Sequence, residues 1–149
     1  MTKQIYNILL ADDDNDDCSF FEEALDEISL ATTLVTVNDG VQLMEFLSDK
    51  TTDNLPDLLF LDLNMPRKNG SECLAEIRQI DKLKDFPIVI FSTSLDSEIV
   101  DVMYNKGATF YIRKPGDFSK LKSVIENALI IASENNFKQP ERTHFVIQP

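Results

Sequence analysis

The chain has 149 residues, 43% of them hydrophobic, with 14 basic side chains against 26 acidic ones and a formal net charge of −12. That length suits one domain and is too short for two well-filled cores. The acidity and the lack of any basic run argue against a nucleic-acid binder, which draws on clustered Lys and Arg. Cys18 and Cys73 are too few for a disulfide scaffold and show no repeated metal-ligand spacing, so both read as free thiols in helices. No apolar run approaches the roughly 20 residues that span a bilayer. The N-terminal stretch, with its single early Lys3, has the pattern of neither a signal peptide nor a transit peptide. A cytoplasmic protein with no membrane partner is expected.

Short apolar runs alternate with longer amphipathic ones. Ile5 to Ala11 is a strand that ends abruptly at a run of acids, and Phe21, Ala24, Leu25 and Ile28 then recur at helical spacing behind Asp14 or Asn15 as the cap. Thr33 to Val37 is β-branched and short, a second strand, and Asn38-Asp39-Gly40 turns the chain into a helix marked by Val41, Leu43, Met44, Phe46 and Leu47. Pro56 precedes DLLFLDL, a strand buried on both faces as in a parallel sheet covered by helices. After the loop MPRKNG, a third helix carries Cys73, Leu74, Ile77 and Ile80. Pro87 to Phe91 repeats the buried-strand pattern, and Ser94 is the expected cap of a fourth helix bearing Leu95, Ile99, Val102 and Met103 and closed by Gly107. Ala108 to Ile112 is a fifth strand. The last helix is expected from about 117 to about 137, or about 30 Å, before Pro140 opens a tail.

Five strands alternating with five helices imply one parallel sheet with helices on both faces. Ligands of such sheets sit beyond the C-terminal strand ends. The first strand ends in Asp12, Asp13 and Asp14, the third in Asp62, the fourth in Ser92-Thr93-Ser94 and the fifth in Lys114-Pro115. Packed carboxylates repel one another and call for a cation, and an all-oxygen set with no His or Cys selects a hard ion, Mg²⁺ before Ca²⁺. Asp16 and Asp17 read differently, as acids favouring the positive end of the helix they open. Asp62, behind a fully apolar strand, has the setting of a nucleophilic carboxylate that forms an acyl phosphate. The cation, Lys114 and a hydroxyl at Ser92 would then meet the phosphoryl oxygens.

These segments, ILLADDD, LFLDLNMPRKNG, PIVIFSTS and GATFYIRKP in that order, resemble the receiver domain of bacterial two-component response regulators over roughly Ile5 to Phe137. The resemblance implies a flavodoxin-like, doubly wound (βα)5 fold of the α/β class with strand order 2-1-3-4-5. A receiver domain over 1–138 and a C-terminal tail over 139–149 are expected, with no output domain. By position, Asp62 matches the phosphoacceptor, and Asp13 and Asp12 the Mg²⁺ ligands, Asp12 acting through water. Asn64 matches the residue lending a backbone carbonyl to the metal, and Ser92 the hydroxyl that reaches the phosphoryl group. Lys114 matches the family's lysine, Pro115 the proline often joined to it by a cis bond, and Tyr111 the aromatic that swings inward on activation. Met65 reads as packing and His144 as solvent-exposed.

The implied partner is a sensor histidine kinase. The tail and the STS form are similar to the small regulators that pair with bacterial phytochrome kinases. The expected function is a phosphorylation-controlled switch, not a turnover enzyme, whose output is a homodimer through the fourth helix, fifth strand and fifth helix. Ile130, Ile131 and Phe137 add apolar surface there, and Phe145, Val146 and Ile147 could lie across a neighbour or back on the same chain. A phosphorylation-independent adaptor is the alternative, but such receivers usually lose an acid or the lysine, and none is missing. A phosphohydrolase would need a general acid two residues past the nucleophile, where Asn64 stands.

Overall fold

Aliphatic and β-branched runs favour extended backbone, and here they form β1 (Tyr6–Ala11), β2 (Thr32–Val37), β3 (Leu58–Leu61), β4 (Ile88–Ser92) and β5 (Phe110–Arg113). The amphipathic stretches form α1 (Asn15–Glu27), α2 (Gly40–Ser48), α3 (Gly70–Gln79), α4 (Ser97–Asn105) and α5 (Phe118–Glu134). The computed structural model describes residues 5–149, so the N-terminal reading that involved Lys3 lies outside the described residues. All strand pairs are parallel in the order β2-β1-β3-β4-β5, the flavodoxin-like arrangement expected from the sequence. Among the described residues no helix is long and apolar enough to cross a membrane.

The pleat sends alternate side chains to opposite faces. Leu9, Leu59, Leu61 and Ile90 pack with Leu43, Leu47, Leu74, Ile77 and Met103, under α2, α3 and α4. Ile8, Leu10, Phe60 and Val89 pack with Phe21, Leu25, Val124 and Leu129, under α1 and α5. Phe21, Phe60 and Phe91 meet edge to face in this second layer, with centroids 5.0 to 6.1 Å apart. The register places Ala11 beside Leu61, so the next residues, Asp12 and Asp62, leave the sheet together. Their amides stay in the ladder, Asp62 donating to the Ala11 carbonyl at 2.9 Å and Asp12 to that of Val37 at 3.0 Å. Across the sheet Ser92 pairs with Arg113, and the Lys114 amide donates to the Ser92 carbonyl at 2.7 Å.

The structure changes two expectations and decides a third point that the sequence left open. The cap of α4 is Asp96, whose carboxylate accepts from the Glu98 amide at 2.8 Å, while Ser94 Oγ accepts from Asp96 N at 3.2 Å. Leu95 therefore lies outside the helix, and α4 buries Val100 and Met103 while Ile99 and Val102 remain exposed. Second, α5 stops at Glu134. Asn136 and Phe137 take the left-handed conformation (φ 55° and 56°), and the Phe137 amide turns back to the Ala132 carbonyl at 2.7 Å, satisfying a carbonyl of the last turn. Phe137 is partly buried and packs against the core layer of α1 and α5.

Third, the segment after Lys138 folds back on its own chain. Gln139 Nε2 donates to the Tyr104 and Ala108 carbonyls, both at 2.8 Å, and the Tyr104 hydroxyl to the Pro140 carbonyl at 2.8 Å. The Tyr111 amide then donates to the Phe145 carbonyl at 3.0 Å and the Ile147 amide to the Tyr111 carbonyl at 2.9 Å, a parallel bridge on the outer edge of β5. Phe145 and Ile147 are buried and His144 is exposed. The edge strand's unpaired backbone groups are thus covered by the chain itself.

Candidate functional site

Strand register brings three carboxylates and one ammonium to a single point of the sheet edge. Asp12 is fully buried, with Oδ1 accepting from the Asp14 amide at 3.0 Å and Oδ2 from Lys114 Nζ at 2.9 Å. Asp62 is 5% exposed, its Oδ1 accepting from the Asn64 amide at 3.3 Å and its Oδ2 lying 3.6 Å from Lys114 Nζ. Asp13 is exposed, and one carboxylate oxygen each of Asp12, Asp13 and Asp62 lies within 4.8 Å of the other two. Oxygens this close repel unless a cation sits among them, and the all-oxygen donor set fits a hard divalent ion.

The electrostatics express that crowding. Burial pushes the Asp62 carboxyl up to about 6, with Asp12 and Asp13 adding to it against the pull of Lys114 and the Asn64 amide. Burial alone would lower Lys114, but hydrogen bonds to Asp12 and Asp17 hold its ammonium above the ordinary lysine range. Its Nζ also stands 5.4 Å from the centroid of the Phe91 ring.

Two glycines let the loops close on this point. A Cβ on Gly70 would lie 2.3 Å from the Asp62 carbonyl oxygen and 2.9 Å from Leu63 Cα, so only glycine lets the start of α3 sit against the chain that carries Asp62. A Cβ on Gly40 would meet the Lys68 carbonyl at 2.1 Å, which ties the start of α2 to the same loop. Met65, in that loop, is 7% exposed and belongs to the core, as expected.

Ser92 is buried, its Oγ accepting from the Ser94 amide at 3.2 Å. Tyr111 is fully buried, and its hydroxyl donates to the Ser94 carbonyl at 2.6 Å, which ties β5 to the loop before α4. Burial raises its phenol above the usual tyrosine value. The ring lies inward, with Phe145 of the returning tail 6.2 Å away. The Lys114–Pro115 peptide is trans, in contrast to the cis bond that the resemblance suggested.

Sequence reasoning missed one member of the group. Asp17, read there as a helix-start acid, places Oδ2 3.0 Å from Lys114 Nζ. The capping is done by Asp14, whose Oδ1 accepts from the Asp17 amide at 3.0 Å. Nothing in the spacing signals this, because the partner lies 97 residues away. Two other groups hold the Asp12 backbone, Asn38 Nδ2 at 3.2 Å and Cys18 Sγ at 3.5 Å from its carbonyl oxygen. The Cys18 thiol is pushed up to about 11, first by burial and then by Asp12 and Asp17, so it stays protonated at neutral pH.

A five-stranded 2-1-3-4-5 sheet with acids after its first and third strands, a hydroxyl after its fourth and a lysine after its fifth defines a receiver-type signalling domain. The chain belongs to the response regulator receiver domain family, which matches residues 8–126. Response regulator Rcp1 of Synechocystis sp. is 32% identical over 122 residues, covering 80% of this chain and 83% of that one. The crystal structure of the phosphorylated cyanobacterial phytochrome response regulator RcpA superposes with a TM-score of 0.74 at 34% identity, over 83% of this chain and 90% of RcpA. The Mn²⁺-bound form of Rcp1 gives 0.70 at 33% identity, over 86% and 92%. The chain is therefore a two-component response regulator receiver.

Proposed function

We propose that Asp62 accepts a phosphoryl group from a sensor histidine kinase and that the acyl phosphate switches the surface built on α4, β5 and α5. The observation that carries this reading is a carboxylate buried at the end of β3, held by the Asn64 amide, faced by Lys114 and adjoined by Asp12 and Asp13. In the transfer a carboxylate oxygen of Asp62 attacks phosphorus, the bond to the donor nitrogen breaks, and the histidine leaves with the electron pair. Asp12, Asp13 and Asp62 would hold Mg²⁺, with the Asn64 carbonyl as a further ligand; the bound ion supplies positive charge to the phosphoryl oxygens. Lys114 neutralises a second side of that group and the Ser92 hydroxyl donates to a third. Tyr111 reports the change by its bond to the Ser94 carbonyl, which moves when Ser92 turns toward the phosphate.

The protein is on this reading a phosphoacceptor that assists its own phosphorylation and dephosphorylation in the cytoplasm. Its kinase is proposed to be a bacteriophytochrome, because the similar RcpA is a cyanobacterial phytochrome response regulator and the similar RtBRR a bacteriophytochrome response regulator. A homodimer through α4, β5 and α5 would pack around the returning tail, using exposed Leu95, Ile99, Val102, Ile130 and Ile131. Phosphotransfer from an autophosphorylated histidine kinase tests the central step. Label should pass to the wild-type protein and not to Asp62→Asn. Equal transfer to both would discard the assignment, and no transfer together with unchanged partner binding would favour the adaptor.

A further inference from the structure

A lysine ammonium carries three N–H donors in a fixed tetrahedral arrangement. On Lys114 two have partners, Asp12 Oδ2 at 2.9 Å and Asp17 Oδ2 at 3.0 Å. The remaining neighbour, Asp62 Oδ2 at 3.6 Å, is beyond hydrogen-bond length, so that contact is coulombic. One bond, to Asp12, would leave the ammonium free to turn about it. The second restrains that rotation and leaves one N–H free, with Asp62 Oδ2 3.6 Å from the nitrogen.

On the outer side of Lys114, no other side chain among the described residues stands ready to take the place of Asp17. On the outer side a cavity of about 170 Å³ is lined by Phe20, Phe91, Phe118 and Leu121, which offer no acceptor side chain. The one other carboxylate on that wall, Asp117, caps α5 by accepting from the Lys120 amide at 3.1 Å. Asp17 is also released from the usual duty of an acid at a helix start, since Asp14 performs the capping.

We propose that Asp17 is a positioning residue for phosphoryl transfer, clamping Lys114 so that one N–H is aimed at the phosphoryl oxygens arriving on Asp62. The inference rests on Asp62 as the acceptor. It separates the roles of the acids: Asp13 faces the cation alone, Asp17 holds the lysine, and Asp12 touches both.

Stopped-flow phosphorylation with a small acyl phosphate, over ranges of donor and Mg²⁺, tests it on the full chain. Asp17→Ala should lower the rate constant at saturating donor and Mg²⁺ about tenfold, the scale of one charge-assisted hydrogen bond. The half-saturating donor concentration and the Mg²⁺ affinity should change by less than about twofold, because the clamp acts after both have bound. Asp17→Asn keeps an acceptor oxygen and should recover most of the rate. In a Lys114→Ala background the same Asp17→Ala change should have no further effect. An unchanged rate in Asp17→Ala, a faster one, or an equal loss with and without Lys114 would overturn the proposal. Labelling of Asp62→Asn, or none of the wild type, would instead remove the acceptor reading beneath it.

Discussion

Replacing Asp62 by Asn removes a charge that folding drives into a crowded, nearly dry position. The carboxyl moves from an ordinary value of 3.8 to about 6 in the folded chain. At about 1.4 kcal/mol per unit, the penalty for the ionised form is on the order of 3 kcal/mol. The amide recovers only part of this, since its NH₂ group needs acceptors of its own, and a net gain of about 1–2 kcal/mol is expected. For a domain of this size that corresponds to a rise of roughly 3–6 °C in midpoint. The pH dependence has a definite sign. A raised carboxyl holds its proton longer in the folded state, so the penalty is absent below about pH 4, grows through about pH 6 and is complete above it. The variant's advantage should therefore be full at pH 8 and gone at pH 4. Urea unfolding followed by far-UV circular dichroism suits the chain, which has no Trp. Adding Mg²⁺ should narrow the gap by stabilising the wild type through binding. No gain at pH 8 in metal-free buffer, or an equal gain at pH 4, would refute the electrostatic reasoning.

Asp13→Ala should weaken Mg²⁺ binding more than Asp12→Ala, because Lys114 and the Asp14 amide already engage both oxygens of Asp12; calorimetric titration compares them. Phe145→Ala should cost about 3 kcal/mol, since that ring is fully buried between Tyr104 and Tyr111. Hydrogen exchange in the same variant should show faster exchange at the Tyr111 amide if the tail releases β5. Gly70→Ala should reduce acyl-phosphate formation more than about tenfold, because the new methyl meets the Asp62 carbonyl oxygen at 2.3 Å; unchanged labelling would contradict the close approach.

The sheet was legible because its strands are unbroken apolar runs, and its order followed from the resemblance. Once Ala11 and Leu61 are neighbours, Asp12 and Asp62 must emerge together, so most of the carboxylate cluster could be read from strand ends. The fourth helix misled because Leu95, Ile99, Val102 and Met103 are helically spaced, and periodicity cannot say that only Met103 of these, with Val100, meets the core. The end of α5 turned on Asn136 and Phe137 adopting left-handed backbone without a glycine to announce it. The returning tail is short and follows Pro140, and its pairing with β5 depends on contacts some 35 residues away in sequence. Asp17 shows the same limit: a side chain's partner across the fold leaves no trace in local spacing.

Asp62 should form an acyl phosphate in a cation-dependent way. Intact mass after incubation with a small phosphodonor tests it most directly, with and without Mg²⁺, for the wild type and Asp62→Asn. The wild type should gain the mass of one phosphoryl group only when Mg²⁺ is present, and the variant should gain none. Labelling that persists in Asp62→Asn, or that proceeds equally without Mg²⁺, would contradict it.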